Sequence, residues 1–226
     1  MSKWFLVALF ALMSPLLARA ADVPLGTVTV KLDPPDGECL LDPAQSSDNR
    51  LIGFITKALA DGGIDLLLIS ADCNELKNWR TGSLPLLKHF AQYQSPKASR
   101  ASTYGTADAA AACTQMKAQG AKMTRDSVDS ANDSIHKAIK EIDVQGQTFL
   151  GVLADDPNGC YVGLFQKYKA ETGVSVTQLN VFFMGSIKNR PLNFYIWGPM
   201  DNDSSVSNLL ASAQAQIAKL KAANGP

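Results

Sequence analysis

Residues 148–197 read TFLGVLADDPNGCYVGLFQKYKAETGVSVTQLNVFFMGSIKNRPLNFYIW, and the period of this stretch decides the fold. Apolar and polar side chains alternate in runs that fit half-buried strands. The runs Thr148 to Ala154, Cys160 to Tyr168, Val174 to Ile187 and Leu192 to Trp197 predict four consecutive strands. Between them lie Asp155-Asp156-Pro157-Asn158-Gly159, Glu171-Thr172-Gly173 and Lys188-Asn189-Arg190-Pro191, all rich in turn-forming residues. Connections this short join antiparallel neighbours, so the stretch is a β-meander. Leu179, Val181 and Phe183 facing Leu192, Phe194 and Ile196 form its buried side.

Working outward, Asp201 to Ser204 is expected to cap a closing helix. Its stripe of Val206, Leu209, Leu210, Ala213, Ile217 and Leu220 must cover the sheet. Upstream, Val23 to Leu32 predicts a first strand, and Asp33-Pro34-Pro35-Asp36-Gly37 a turn. Asp42 to Ala60 carries a helical stripe, capped by Ser46, Ser47 or Asp48 and ended by Gly62-Gly63. Ile64 to Ala71 has the nearly continuous apolar character of a strand buried on both faces. Asp72-x-x-Glu75 has the spacing of a capping box opening a short helix through Trp79. Leu86 to Tyr93 is expected as a further strand, followed by a polar loop from Ser95 to Thr103. Thr106 is placed to cap a helix over Ala107 to Gln119, and Thr124 to Asp143 is the most amphipathic helical pattern in the chain. The expectation is a single α+β domain over residues 21–226, an antiparallel sheet flanked by helices in an α/β/α sandwich-like arrangement.

Residues 1–20 stand outside that domain. Lys3, the apolar run Trp4 to Met13, Pro15 and the A-x-A site Ala18-Arg19-Ala20 have the three-part layout of a secretory signal peptide. The apolar run is shorter than the roughly 20 residues that span a bilayer, and no later segment is long and apolar enough. The mature chain is expected to start at Ala21, in the periplasm or outside the cell. Cys39, Cys73, Cys113 and Cys160 all follow the cleavage site, and an even count in an exported chain reads as two disulfides. Of the three possible pairings, Cys39–Cys73 with Cys113–Cys160 is preferred, because each closes a loop within one half of the chain.

Composition narrows the function. The 226 residues are 46% hydrophobic and 19% charged, with 21 basic and 21 acidic side chains. Cleavage would remove Lys3 and Arg19 and no acid, leaving 19 basic and 21 acidic groups and a formal charge of −2. A mildly acidic domain is a poor fit for nucleic acid, whose binders carry a basic excess. No G-x-S-x-G elbow, C-x-x-C pair or phosphate-binding loop occurs. His89 and His136 are the only histidines, without metal-ligand spacing, so no metal or cofactor is expected. Asp155-Asp156 reads as turn chemistry rather than a glycosidase pair. Asp201-Asn202-Asp203 starts like a calcium loop but has Val206 and Ser212 where glycine and glutamate belong. No catalytic residue is assigned. Trp79, Tyr195 and Trp197 are the candidate interface residues, since tryptophan and tyrosine dominate binding hot spots.

The order strand, loop at Asp155 to Gly159, paired long strands and terminal helix over Thr148 to Ala222 resembles the PsbP/Mog-like α/β/α sandwich. The cysteine pairs and the helical insertion from Thr106 to Asp143 depart from that family. The segment Pro34-Pro35-Asp36-Gly37-x-Cys39 to Ala71-Asp72-Cys73-x-x-Leu76-x-x-Trp79 also resembles a pattern of exported bacterial proteins. The first resemblance implies a non-catalytic binding or assembly factor, and the signal peptide, the cysteine pairs and the missing catalytic motif point to an exported domain that binds a protein or small molecule in the cell envelope. The alternatives are a secreted hydrolase built on carboxylates and an envelope inhibitor or immunity-type protein.

Overall fold

The computed structural model describes residues 20–118, 142–170 and 175–225. The predicted signal peptide up to Arg19, His136, and the expected helix as far as residue 141 lie outside the described residues.

The meander forms as the alternation requires. Strands β6 (Ile142–Asp156), β7 (Gly159–Ala170), β8 (Ser175–Ile187) and β9 (Arg190–Pro199) pair antiparallel in sequence order. The β8–β9 connection is two residues, Lys188 and Asn189, with φ of 50° and 55°. Two left-handed residues give a turn whose twist matches the flanking strands. Val181 stands opposite Ile196 and Phe183 opposite Phe194, and all four are buried. Strand β6 begins at Ile142, so Ile142 and Asp143 are strand residues and not the end of a helix.

The N-terminal half extends this sheet. Strands β3 (Glu38–Leu40), β4 (Ile64–Asp72) and β5 (Phe90–Pro96) join through β5 and β9. The described order is β3-β4-β5-β9-β8-β7-β6, with every neighbouring pair antiparallel. β5 lies later than the expected Leu86 to Tyr93 strand. Leu87 instead buries in the cluster around Leu41, Ile69 and Leu76. The Glu75 carboxylate accepts the Lys88 and His89 backbone N–H groups at 2.8 and 3.0 Å, so the chain enters the sheet only at Phe90.

The expected first strand is a hairpin, β1 (Ala21–Leu25) and β2 (Val28–Leu32). Gly26, at φ 64°, turns the chain, and a Cβ there would come within 2.8 Å of the Ala101 backbone. Conformation and space both demand glycine.

Among the described residues, four helices flank the sheet: α1 (Ser46–Asp61), α2 (Cys73–Arg80), α3 (residues 106–118) and α4 (Ser205–Asn224). On one face, α4 and the β1–β2 hairpin cover Leu68, Ala91, Tyr93, Val181, Phe183, Phe194 and Ile196. Ala213, Ile217 and Leu220 of the expected stripe are buried there. Polar groups inside this layer are satisfied, as burial requires. Gln216 donates to Tyr93 Oη and to the Asp33 carbonyl at 2.7 and 2.8 Å. The Asn224 side chain meets Lys31 like a peptide, accepting its N–H at 2.8 Å and donating to its carbonyl at 2.9 Å. The buried Arg190 guanidinium bolts the hairpin to β9, donating to Leu25 O, Thr27 Oγ1, Ser102 O and Asn189 O.

The helix starts differ in detail from the expected caps. Asp72 caps α2, accepting from the Asn74 and Glu75 N–H groups at 3.0 and 2.9 Å. The reciprocal half of the box is absent, because the Asp72 N–H donates to His89 O. Before α4, Ser204 occupies the cap position without a side-chain cap bond, while Ser205 Oγ accepts from the Asp201 and Asn202 N–H groups. Likewise Gln45 precedes α1 without capping it, and Asp48 turns inward to Arg80.

Candidate recognition face

The sheet face opposite α4 carries the aromatic candidates. Alternation sends Phe90, Gln92 and Gln94 of β5 to this face, with Asn193, Tyr195 and Trp197 of β9 and Asn180, Phe182 and Met184 of β8. The register aligns them in rows: Phe90, Trp197 and Asn180; Gln92, Tyr195 and Phe182; Gln94, Asn193 and Met184.

Four rings stack across three strands. Phe90 lies 4.4 Å from Trp197 at an interplanar angle of 9°. Trp197 lies 5.6 Å from Tyr195 at 18°, and Tyr195 lies 5.0 Å from Phe182 at 20°. All four are half-buried. Both faces of the Trp197 and Tyr195 rings are therefore taken by neighbouring rings. The row presents ring edges and the polar groups beside them, not an open stacking platform. Tyr195 supplies the hydroxyl of the row, which burial pushes up to about 12. No described residue hydrogen-bonds to it. The flanking amides are internally satisfied: Gln94 Nε2 donates to Gln92 Oε1 at 2.8 Å, and Asn180 Nδ2 to Ile196 O at 3.2 Å.

Each end of the row is closed by a disulfide-bearing cluster. Phe90 packs on Leu41, Ile69, Ala71, Leu76 and Leu87, beside Cys39. Trp79 packs on the same cluster from α2. Phe182 packs on Cys113, Cys160 and Val162. The bonds are Cys39–Cys73 and Cys113–Cys160, with no free cysteine. One clamps β3 to the start of α2, and the other clamps α3 to β7. Of the three candidate interface residues, Tyr195 and Trp197 come together, while Trp79 belongs to the α2 cluster. Phe90 and Phe182 complete the row; sequence reasoning missed them because register, not spacing, brings them there.

His89, Glu75, Ser70, Asp155 and Asp156 each have a structural partner. His89 Nδ1 lies 2.7 Å from Glu75 Oε1. Burial alone would raise the Glu75 carboxyl, but the His89 backbone N–H, the His89 ring and the Lys88 N–H hold it below its ordinary range. Ser70 is fully buried and donates to Glu38 at 2.6 Å, so its hydroxyl is neither exposed nor joined to the histidine. Asp156 takes the Asn158 N–H in the β6–β7 turn and pairs with Lys221, and Asp155 pairs with Lys117. These acids serve the turn and its anchorage. Among the described residues, no group of three or more His, Cys, Asp or Glu side chains is arranged to hold a metal ion. Comparison with protein-family models, curated proteins and solved structures finds no match for this chain.

Proposed function

We propose that the chain is an exported, non-catalytic binding domain of the cell envelope, periplasmic or secreted, and that the centre of the Tyr195 face is its recognition surface. The observation that carries the reading is the aromatic row held between two disulfide clamps on one sheet face. Clamping both flanks fixes the row's geometry before a partner arrives, which reduces the ordering cost of binding. Strand β1 begins at Ala21, the residue that signal cleavage would leave first, which supports export. No described helix is long and apolar enough to cross a membrane. The PsbP/Mog-like resemblance adds the expectation of a binding or assembly role.

The test is affinity capture from envelope extract with the full mature chain and with Tyr195→Phe. That substitution keeps the stacked ring and removes its hydroxyl. A partner retained by the wild type and lost or weakened at least tenfold in Tyr195→Phe, at equal thermal stability, supports the reading. Equal retention by both proteins overturns the assignment of this face. N-terminal sequencing of the exported protein checks cleavage at Ala21, and a retained Met1 would overturn it.

A further inference from the structure

Glu38 and Asp72 stand directly opposite each other across the β3–β4 pair, so both side chains leave the same sheet face. Like charges in that position repel. No described cation forms an ion pair with either acid. Asp72 is occupied with the N–H groups of α2, and Glu38 receives the Ser70 hydroxyl at 2.6 Å. The groups facing Glu38 are Ser70 and Asp72 from β4, Glu75 from α2 and His89 from the approach to β5, with Tyr93 of β5 sensing its charge. Two of these are acids, and His89 is already engaged by Glu75.

Leu40 and Cys39 of β3 pack against the two core clusters, while Glu38 holds the strand's outer end. The strand is three residues long and lies at the sheet edge. Its flanks are fixed by Cys73 N–H donating to Gly37 O at 3.1 Å and Leu41 N–H donating to Ile69 O at 3.2 Å. The Cys39–Cys73 bond ties it covalently to the first residue of α2.

We propose that β3 is a pH-operated latch: uncharged Glu38 closes the edge against Ser70 and Asp72, its ionisation loosens the edge, and the Cys39–Cys73 disulfide keeps the loosened strand tethered. The inference stands independently of the binding reading. Burial, opposed by the Ser70 hydrogen bond and reinforced by Asp72 and Glu75, raises the Glu38 carboxyl from 4.5 to about 7. A raised carboxyl stabilises the closed edge fully below its ordinary value, and that contribution is lost as pH climbs through the raised one. If the open edge restores the ordinary value, the opening equilibrium grows ~70-fold between pH 5 and pH 8.

Amide exchange of residues 37–41, measured on the full chain with both disulfides intact and corrected for intrinsic rates, reads this directly. The expected result is a rise in opening of on the order of 70-fold from pH 5 to pH 8, with the core amides of β8 unchanged. Glu38→Gln should flatten the dependence to within about threefold. A flat wild-type profile, or a slope that persists in Glu38→Gln, overturns the proposal. Titration of the Glu38 carboxyl carbon by NMR gives a second readout on the unmodified protein. A midpoint near 7 that falls in Asp72→Asn, which retains a capping side chain, supports the latch. A midpoint at the ordinary carboxylate value, or one indifferent to Asp72→Asn, refutes it.

Discussion

Replacing Arg190 with methionine should detach the N-terminal hairpin from the sheet. Arg190 is 9% exposed, and among the described residues its guanidinium has neutral acceptors: Leu25 O at 3.1 Å, Thr27 Oγ1 at 3.1 Å, Ser102 O at 3.3 Å and Asn189 O at 3.0 Å. A hydrogen bond from a charged donor is worth about 1.5–3 kcal/mol net, and each acceptor left buried and unpaired costs about 1–3 kcal/mol. These contributions overlap, and releasing the guanidinium from its buried site offsets part of the loss. The expected net cost of Arg190→Met is about 3 kcal/mol. Arg190→Lys keeps the charge but concentrates its donors at one point, so it cannot span Leu25, Thr27 and Ser102 together; about 2 kcal/mol is expected. Urea unfolding at neutral pH with oxidised disulfides measures both. Amide exchange should show β1 and β2 loosening while β8 and β9 stay protected. A methionine variant within about 0.5 kcal/mol of wild type, with β1–β2 protection intact, would refute the bolt.

The disulfides should differ in reactivity but not in worth. Their sequence separations of 34 and 47 each correspond to about 4 kcal/mol of chain-entropy stabilisation. Replacing either pair with serines should therefore lower stability comparably in denaturant unfolding. Cys113 and Cys160 are buried whereas Cys39 and Cys73 are half-exposed, so a mild reductant should open Cys39–Cys73 first; alkylation and mass spectrometry showing the reverse order would contradict this. Asp48 governs the acid limb of stability. Burial alone would raise its carboxyl, but Arg80, the Asp42 N–H and Ser47 hold it below its ordinary value. Its contribution is thus present above the unfolded value and lost as pH falls through the folded one. Asp48→Asn should cost about 1–2 kcal/mol at neutral pH, discounted for the partly exposed Arg80, and should flatten stability at low pH; an unchanged acid profile would count against the Arg80 pairing.

The elements legible in the sequence are those in which one local pattern dominates. Alternation over Leu179 to Ile187 and Leu192 to Ile196 marks β8 and β9, and the stripe from Val206 to Leu220 marks α4. The α+β class and the adjacency of Tyr195 and Trp197 follow from periodicity, while the cysteine spacing favours but does not fix the pairing that the structure shows. β5 lies later than its apolar pattern suggests because buried polar groups disguise it. Gln92 and Gln94 lie inside the sheet with their amides bonded to each other, while Leu84 and Leu87 supply apolar character to a connector. The β1–β2 hairpin does carry a local signal, since Gly26 between two alternating runs is a turn residue. The two ends of the aromatic row are illegible for a physical reason. Phe90 and Phe182 meet residues more than a dozen positions away, through strand pairings that exist only once the sheet has closed.

The arrangement of the two disulfides also bears on how the molecule is made. Each cysteine pairs with the next one along the chain, 39 with 73 and 113 with 160. On a polypeptide emerging N-terminus first, partners therefore become available in the order in which they must join. The first bond can form within a segment that already contains β3, β4 and α2. Oxidation in order of emergence would yield the native connectivity directly. Sheet closure is different, because β5 must wait for β9, near the end of synthesis. The early covalent link would hold the first cluster together through that delay.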